Sequence, residues 1–173
     1  MATVVLTLLG TDRAGLVSAV SRLITEHSGS WANSQMAHLA GMFAGIVQVD
    51  LPATEVDGLV ARLDQLTDQG LRVTVERVED SPAAPAAGER MTLRLVGADR
   101  PGIVAEVSSV LARHGVNVEE LSTQVVEAPM SGGTLFRAEA VVGVPGTVDA
   151  ASLRTSLEAL ADELMVDLDL RDE

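Results

Sequence analysis

The 173-residue chain contains no cysteine, no lysine and no tyrosine, and only one tryptophan and two phenylalanines. Without cysteine there are no disulfides, no thiol nucleophile and no cysteine-ligated metal. Without lysine there is neither a Schiff base nor a phosphate-loop ammonium, since all 12 basic residues are arginine. Against them stand 25 acidic residues and a net charge of −13. A phosphate backbone would repel such a chain, so direct nucleic-acid binding is not expected. No apolar run approaches the roughly 18 residues of a membrane span. The start, MATVVLTLL, lacks the basic residues and cleavage site of a signal peptide, and the chain reads as cytoplasmic.

What is present is a repeat. Leu6 to His27 (LTLLGTDRAGLVSAVSRLITEH) and Leu93 to His114 (LRLVGADRPGIVAEVSSVLARH) align without a gap at an offset of 87, with 10 of 22 positions identical. A repeat of this kind decides architecture before any residue is given a role. It predicts two copies of one small domain, residues 1–79 and 89–173. The intervening stretch, 80–88, has prolines and no periodic apolar face, and reads as an extended linker. Domains this small leave much of their surface exposed, so docking of the two halves is expected.

Within copy one, Val4 to Leu9 is a strand-like apolar run ended by Gly10. Leu16, Val17, Val20, Leu23 and Ile24 then follow at helical spacing, and Ile103, Val104, Val107, Val110 and Leu111 repeat that stripe in copy two. Two strand-like runs come next in each copy, 30–39 and 42–50 in the first, 117–127 and 134–144 in the second. A second helix is expected from Thr54, with Thr-x-x-Asp as a capping box and Val56, Leu59, Val60, Leu63 and Leu66 buried. Its counterpart starts near Thr147 and buries Leu153, Leu157 and Leu160. Alternating last strands, 71–78 and 165–170, suit a sheet with one wet face. The order βαββαβ in each copy implies an α+β, ferredoxin-like domain: a four-stranded antiparallel sheet with two helices on one face. The second strand falls at an edge, and joining the two edges, within one chain or between chains, would make one eight-stranded sheet.

The turn from first strand to first helix reads Gly10-Thr-Asp-Arg-Ala-Gly15 in one copy and Gly97-Ala-Asp-Arg-Pro-Gly102 in the other. Its glycines permit a tight turn and close backbone approach, and Asp12 and Asp99 are placed to cap the first helical turn. The functional reading is that the amides after the Asp point at the carboxylate of a small ligand, using the positive end of the helix. These amides lie around Ala14, Gly15 and Leu16 in the first copy and around Pro101 to Val104 in the second. His27 and His114 end equivalent helices, where a partial positive charge suits the dipole. His38 has no partner at metal-ligand spacing. The pairs Glu119-Glu120 and Asp162-Glu163 read as solvated faces. Ser131-Gly-Gly is a loop, and neither Gly-x-Ser-x-Gly nor His-Glu-x-x-His occurs. No catalytic residue, metal ligand or cofactor is expected, and the chain does not read as an enzyme.

The segment LVGADRPGIVAEVSSVLARHGVNVEEL resembles the ACT domain, a βαββαβ ligand-sensing module. The matching residues are Gly97-x-Asp-Arg-Pro-Gly-Ile-Val104 and Gly115-Val-Asn-Val-Glu-Glu120 in copy two. In copy one they are Gly10-x-Asp-Arg-x-Gly-Leu-Val17, Ser34-Gln-Met-Ala-His-Leu-Ala-Gly41 and Phe43. The whole chain is similar to the tandem-ACT family of the glycine cleavage system transcriptional repressor. That resemblance implies an amino acid, glycine or similar, held between two side-by-side domains. The strand-one/helix-one loop of one copy would supply Asp12, Arg13, Ala14, Gly15 and Leu16, facing Asn117 at the start of the second strand of the other. The mirror arrangement sets Asp99, Arg100, Gly102 and Ile103 against Ser30, where serine and the following Trp31 depart from the asparagine pattern.

Three functions follow. The first is a non-enzymatic sensor that binds a small amino acid and modulates a protein partner such as a DNA-bound transcriptional activator. The second is a ligand-free oligomerisation module, including a homodimer. The third is a regulatory relative of formyltetrahydrofolate deformylase that ends at Glu173 without the catalytic domain.

Overall fold

The structure is a computed structural model and describes residues 1–78, 88–128 and 132–172. The expected linker, apart from Gly88, and Ser131 lie outside the described residues. The chain divides into two compact units, Met1–Pro82 and Ala83–Glu173.

In the first unit β1 (Ala2–Thr11), α1 (Leu16–Glu26), β2 (Ser30–Leu39), β3 (Met42–Leu51), α2 (Val56–Asp64) and β4 (Leu71–Arg77) follow one another. The second repeats the order with β5 (Glu89–Ala98), α3 (Ile103–Arg113), β6 (Asn117–Glu127), β7 (Thr134–Val144), α4 (Ala150–Leu164) and β8 (Val166–Asp172). The sheets run β2-β3-β1-β4 and β6-β7-β5-β8, with every pairing antiparallel. Two four-stranded sheets with helices on one face are the expected ferredoxin-like α+β fold.

Alternation along β1 sends Val4, Leu6 and Leu8 inward, where none is more than 1% exposed. They pack beneath Leu16, Val20, Leu23 and Ile24 of α1 and Val56, Leu59 and Leu63 of α2. In the second unit Met91 and Leu93 meet Val110 and Leu111 of α3 and Leu153 and Leu157 of α4. Each such aliphatic side chain contributes about 1.5–3 kcal/mol on leaving water.

Several expectations are corrected. Val17 and Val104 of the helical stripes are 44% and 42% exposed, because the helices rest on the sheet through the stripe positions on either side of them. Gly10 does not end its strand: β1 continues to Thr11, and a Cβ on Gly10 would stand 2.4 Å from the Gly70 carbonyl. The glycine serves the close approach of β4, and Gly97 serves β8 in the same way, with Val166 Cγ1 at 2.3 Å. The Thr54 capping box does not form. A 3-10 turn, Ala53–Glu55, leads into α2, which has no side-chain cap. α4 begins at Ala150 instead of Thr147, where Asp149 accepts a hydrogen bond from the Ala151 amide at 3.1 Å. Met165 does not open the last strand. It is the left-handed C-cap of α4, φ 52°, and is 87% exposed.

Candidate functional site

The β1–α1 and β5–α3 turns share a backbone design. Gly15 and Gly102 are the N-caps of α1 and α3 at φ 93° and 97°, a left-handed conformation that glycine reaches without steric cost. No side chain caps either helix, so the capping role expected for Asp12 and Asp99 is not realised. The N-cap position is held by Gly15 and Gly102, which have no side chain to offer, and Asp12 and Asp99 stand three residues before it. Orphan N–H groups therefore remain at the positive helix ends.

The candidate residues divide by exposure. Asp12, Arg13, Ala14 and Gly15 are exposed, as are Asp99, Arg100 and Gly102. Leu16 and Ile103 are buried at 3% and 2%, so their side chains belong to the core and only their amides can serve a ligand.

Identical residues in the two turns have different partners. Asp12 N–H donates to the Gly41 carbonyl at 2.9 Å, and Asp99 N–H to that of Thr134 at 3.0 Å. Arg13 Nη2 donates to the Gln69 carbonyl at 2.9 Å, whereas Arg100 Nη2 lies 3.7 Å from Glu106 Oε2. The Asp12 carboxylate also faces His38, Oδ2 to Nε2 3.6 Å. The β2–β3 hairpin brings His38 back to the turn, a contact between residues 26 apart that no spacing along the chain announced. His38 and Asp12 do not make a metal site: among the described residues no group of three or more His, Cys, Asp or Glu is placed to hold an ion.

The other histidines are structural. His27 Nδ1 donates to the Leu23 carbonyl at 2.9 Å, and His114 Nε2 lies 3.0 Å from Ser156 Oγ on α4. Glu119 and Glu120 are exposed, as expected of a solvated face, and ion-pair with Arg90 at 2.9 and 3.8 Å.

Ser30 and Asn117 open β2 and β6, and both are exposed. Neither is near the glycine turn of its own unit. Ser30 pairs with Asp50, which pairs with Thr3, while the turn follows Thr11 at the far end of β1. Asn117 pairs with Gly143 and through it with Arg90, while the second turn follows Ala98. Each separation is about eight residues of strand, roughly 27 Å at about 3.4 Å per residue. A single unit therefore does not assemble the turn and the second-strand residue into one site.

Residues 2–76 match the ACT domain family, and residues 91–164 match it again. A UPF0237 protein of Methanopyrus kandleri is 38% identical over 85 residues, covering 49% of this chain and 88% of that protein. The glycine cleavage system transcriptional repressor of Escherichia coli is 22% identical over 161 residues, covering 92% of this chain and 84% of the repressor. A crystal structure of an unknown protein from Galdieria sulphuraria matches with a TM-score of 0.85 at 31% identity, covering 99% of this chain and 98% of that one. Among the described residues no helix is long and apolar enough to cross a membrane. With both halves matched independently, the chain belongs to the ACT-domain family and carries two ACT domains in tandem.

Proposed function

We propose that the protein is a non-enzymatic regulator, acting in the cytoplasm, whose tandem ACT domains sense a small amino acid and modulate a protein partner such as a transcriptional activator. The observation that carries this is the duplicated Gly-x-Asp-Arg-x-Gly turn, which twice presents a helix N-terminus that no side chain caps. Such an end favours a carboxylate ligand. The turn supplies amides for a carboxylate, while Asn117, with one carbonyl acceptor and two amide donors, suits an ammonium or carboxylate. Because turn and strand start are far apart within a unit, the site would be shared between two ACT domains, in one chain or two. The reading invokes no cofactor and no catalysis. It draws support from the full-length likeness to a glycine cleavage system transcriptional repressor, which makes glycine or a similar amino acid the first candidate. A net charge of −13 suits a partner with a basic contact face.

A ligand-free interaction module is the second reading, favoured by β6, an edge strand on which Leu121 and Val125 are 52% and 51% exposed. A thermal-shift panel of the twenty amino acids on the full chain separates the two. Under the sensor reading at least one raises Tm, since a ligand at about 100 times its Kd adds about 2.7 kcal/mol. A flat panel supports the interaction module.

A further inference from the structure

The sheet faces that the helices leave uncovered differ between the two units. In β1 the side chains that alternate with the buried ones, Val5, Thr7 and Leu9, belong to that face. Strand pairing sets them in rows across the sheet. Ile46, Thr7 and Thr74 form one row, with Val5 and Glu76 in the next row on one side and Leu9 and Arg72 in the next on the other. Ile46 is 48% exposed, and Met42 and Leu39 at the hairpin end of the face are 39% and 78% exposed. A shallow depression of about 480 Å³ lies over Thr7, Leu9, Ala44 and Ile46.

The second sheet carries charge at the matching positions. Glu139, Arg94 and Asp169 form the row that corresponds to Ile46, Thr7 and Thr74. Arg94 Nε pairs with Glu139 Oε2 at 3.3 Å, and Arg171 pairs with Asp169. That face satisfies its charges within the chain and suits water. In the first sheet the three rows hold two charges, Arg72 and Glu76, four residues apart on β4. Neither has an ion pair or a side-chain hydrogen bond among the described residues.

We infer that this face of the first unit docks a second copy of the chain, sheet against sheet, about a two-fold axis along the row of Ile46, Thr7 and Thr74. A net charge of −13 makes two copies repel over most of their surface, whereas the charges of these three rows sum to zero. The axis reverses the order of the rows. It thereby sets Arg72 of each copy over Glu76 of the other and Val5 over Leu9, and an isologous contact makes each pair twice. Inner faces of stacked sheets interdigitate their side chains, which buries Ile46 at the centre. Four strands at about 4.8 Å spacing and about ten residues long give roughly 600 Å² per copy. Two copies then bury about 1,200 Å², the lower bound of a specific interface. The inference does not depend on amino-acid sensing, and it uses a different surface from the edges of β2 and β6.

Sedimentation equilibrium of the full chain over a concentration series tests it. The wild type should form dimers. Ile46→Glu gives the first face the residue that the second carries at Glu139, so the sheet accommodates it, but it sets like charges together at the axis. It should raise the dimer Kd by at least about 100-fold. Arg72→Glu and Glu76→Arg each create two like-charge pairs and should each weaken the dimer about fivefold or more. The double variant Arg72→Glu with Glu76→Arg exchanges the partners and should return the dimer to wild-type strength. These exposed positions decide the matter if Ile46→Glu does not fold. A wild type that stays monomeric overturns the inference, as does a dimer that Ile46→Glu leaves unchanged. A double variant no tighter than the single ones overturns it too, because the two charges then do not meet.

Discussion

Asp12 Oδ2 lies 3.6 Å from His38 Nε2, joining the first glycine turn to the end of the edge strand β2. Both side chains are substantially exposed, at 59% for His38 and 40% for Asp12, so the contact is worth at most about 1 kcal/mol. Its interest lies in asymmetry. The position equivalent to His38, at the repeat offset, is Val125, and Asp99 therefore faces no imidazole there. Two turns with the same motif present different chemistry to whatever approaches them.

The glycines of the turns are expected to fail differently. Gly10→Ala sets a Cβ against the Gly70 carbonyl, which is backbone and has little freedom to retreat. Gly15→Ala meets nothing within 4 Å but must hold φ near 93°. Urea denaturation should show a loss of about 1–3 kcal/mol for the first, from overpacking, and about 1–2 kcal/mol for the second, from backbone strain alone. A neutral Gly10→Ala would contradict the close approach of β1 and β4.

Carboxylates at the helix starts should separate by role. Asp149→Ala removes the α4 cap and is expected to cost about 0.5–2 kcal/mol. Asp99→Ala removes no cap and should stay within about 0.5 kcal/mol. Equal losses in thermal melts would show that Asp99 does cap α3 in solution.

Core and rim of the second unit are likewise distinguishable. Leu153 is fully buried beneath α4, and Leu153→Ala should cost about 2–5 kcal/mol. Val104 shares its helical stripe with buried Ile103 yet is 42% exposed, so Val104→Ala should shift stability by less than about 1 kcal/mol. A large loss at Val104 would mean that the residue is covered by another surface in solution.

For the proposed sensor, Asn117→Ala should weaken the amino acid by about 5- to 150-fold, the cost of leaving its polar groups unpaired at about 1–3 kcal/mol. Ser30→Ala should change little, because serine is shorter and the adjoining Trp31 fills space. Since Trp31 is the single tryptophan, its fluorescence reports on the first unit alone. Calorimetric losses of equal size from both substitutions would argue against unequal sites.

Much of the fold is local information, and local information is legible in a chain. Strand-like runs placed β2, β6 and β7 at the bounds observed, 30–39, 117–127 and 134–144, and the repeat placed α1 and α3 by the same apolar spacing. The glycine turns were legible for the same reason: each is set by its neighbours in sequence. Other features depend on residues far apart in the chain. Whether Gly10 bends a strand or admits one is decided by the Gly70 carbonyl, 60 residues away. Arg13 and Arg100 are the same residue in the same motif, yet one reaches a carbonyl before β4 and the other a glutamate within α3. Periodicity determined which faces are apolar; only the packing of one face on another decided which groups meet and where space remains, because contact energies fall away within a few ångströms and no spacing along the chain encodes those distances.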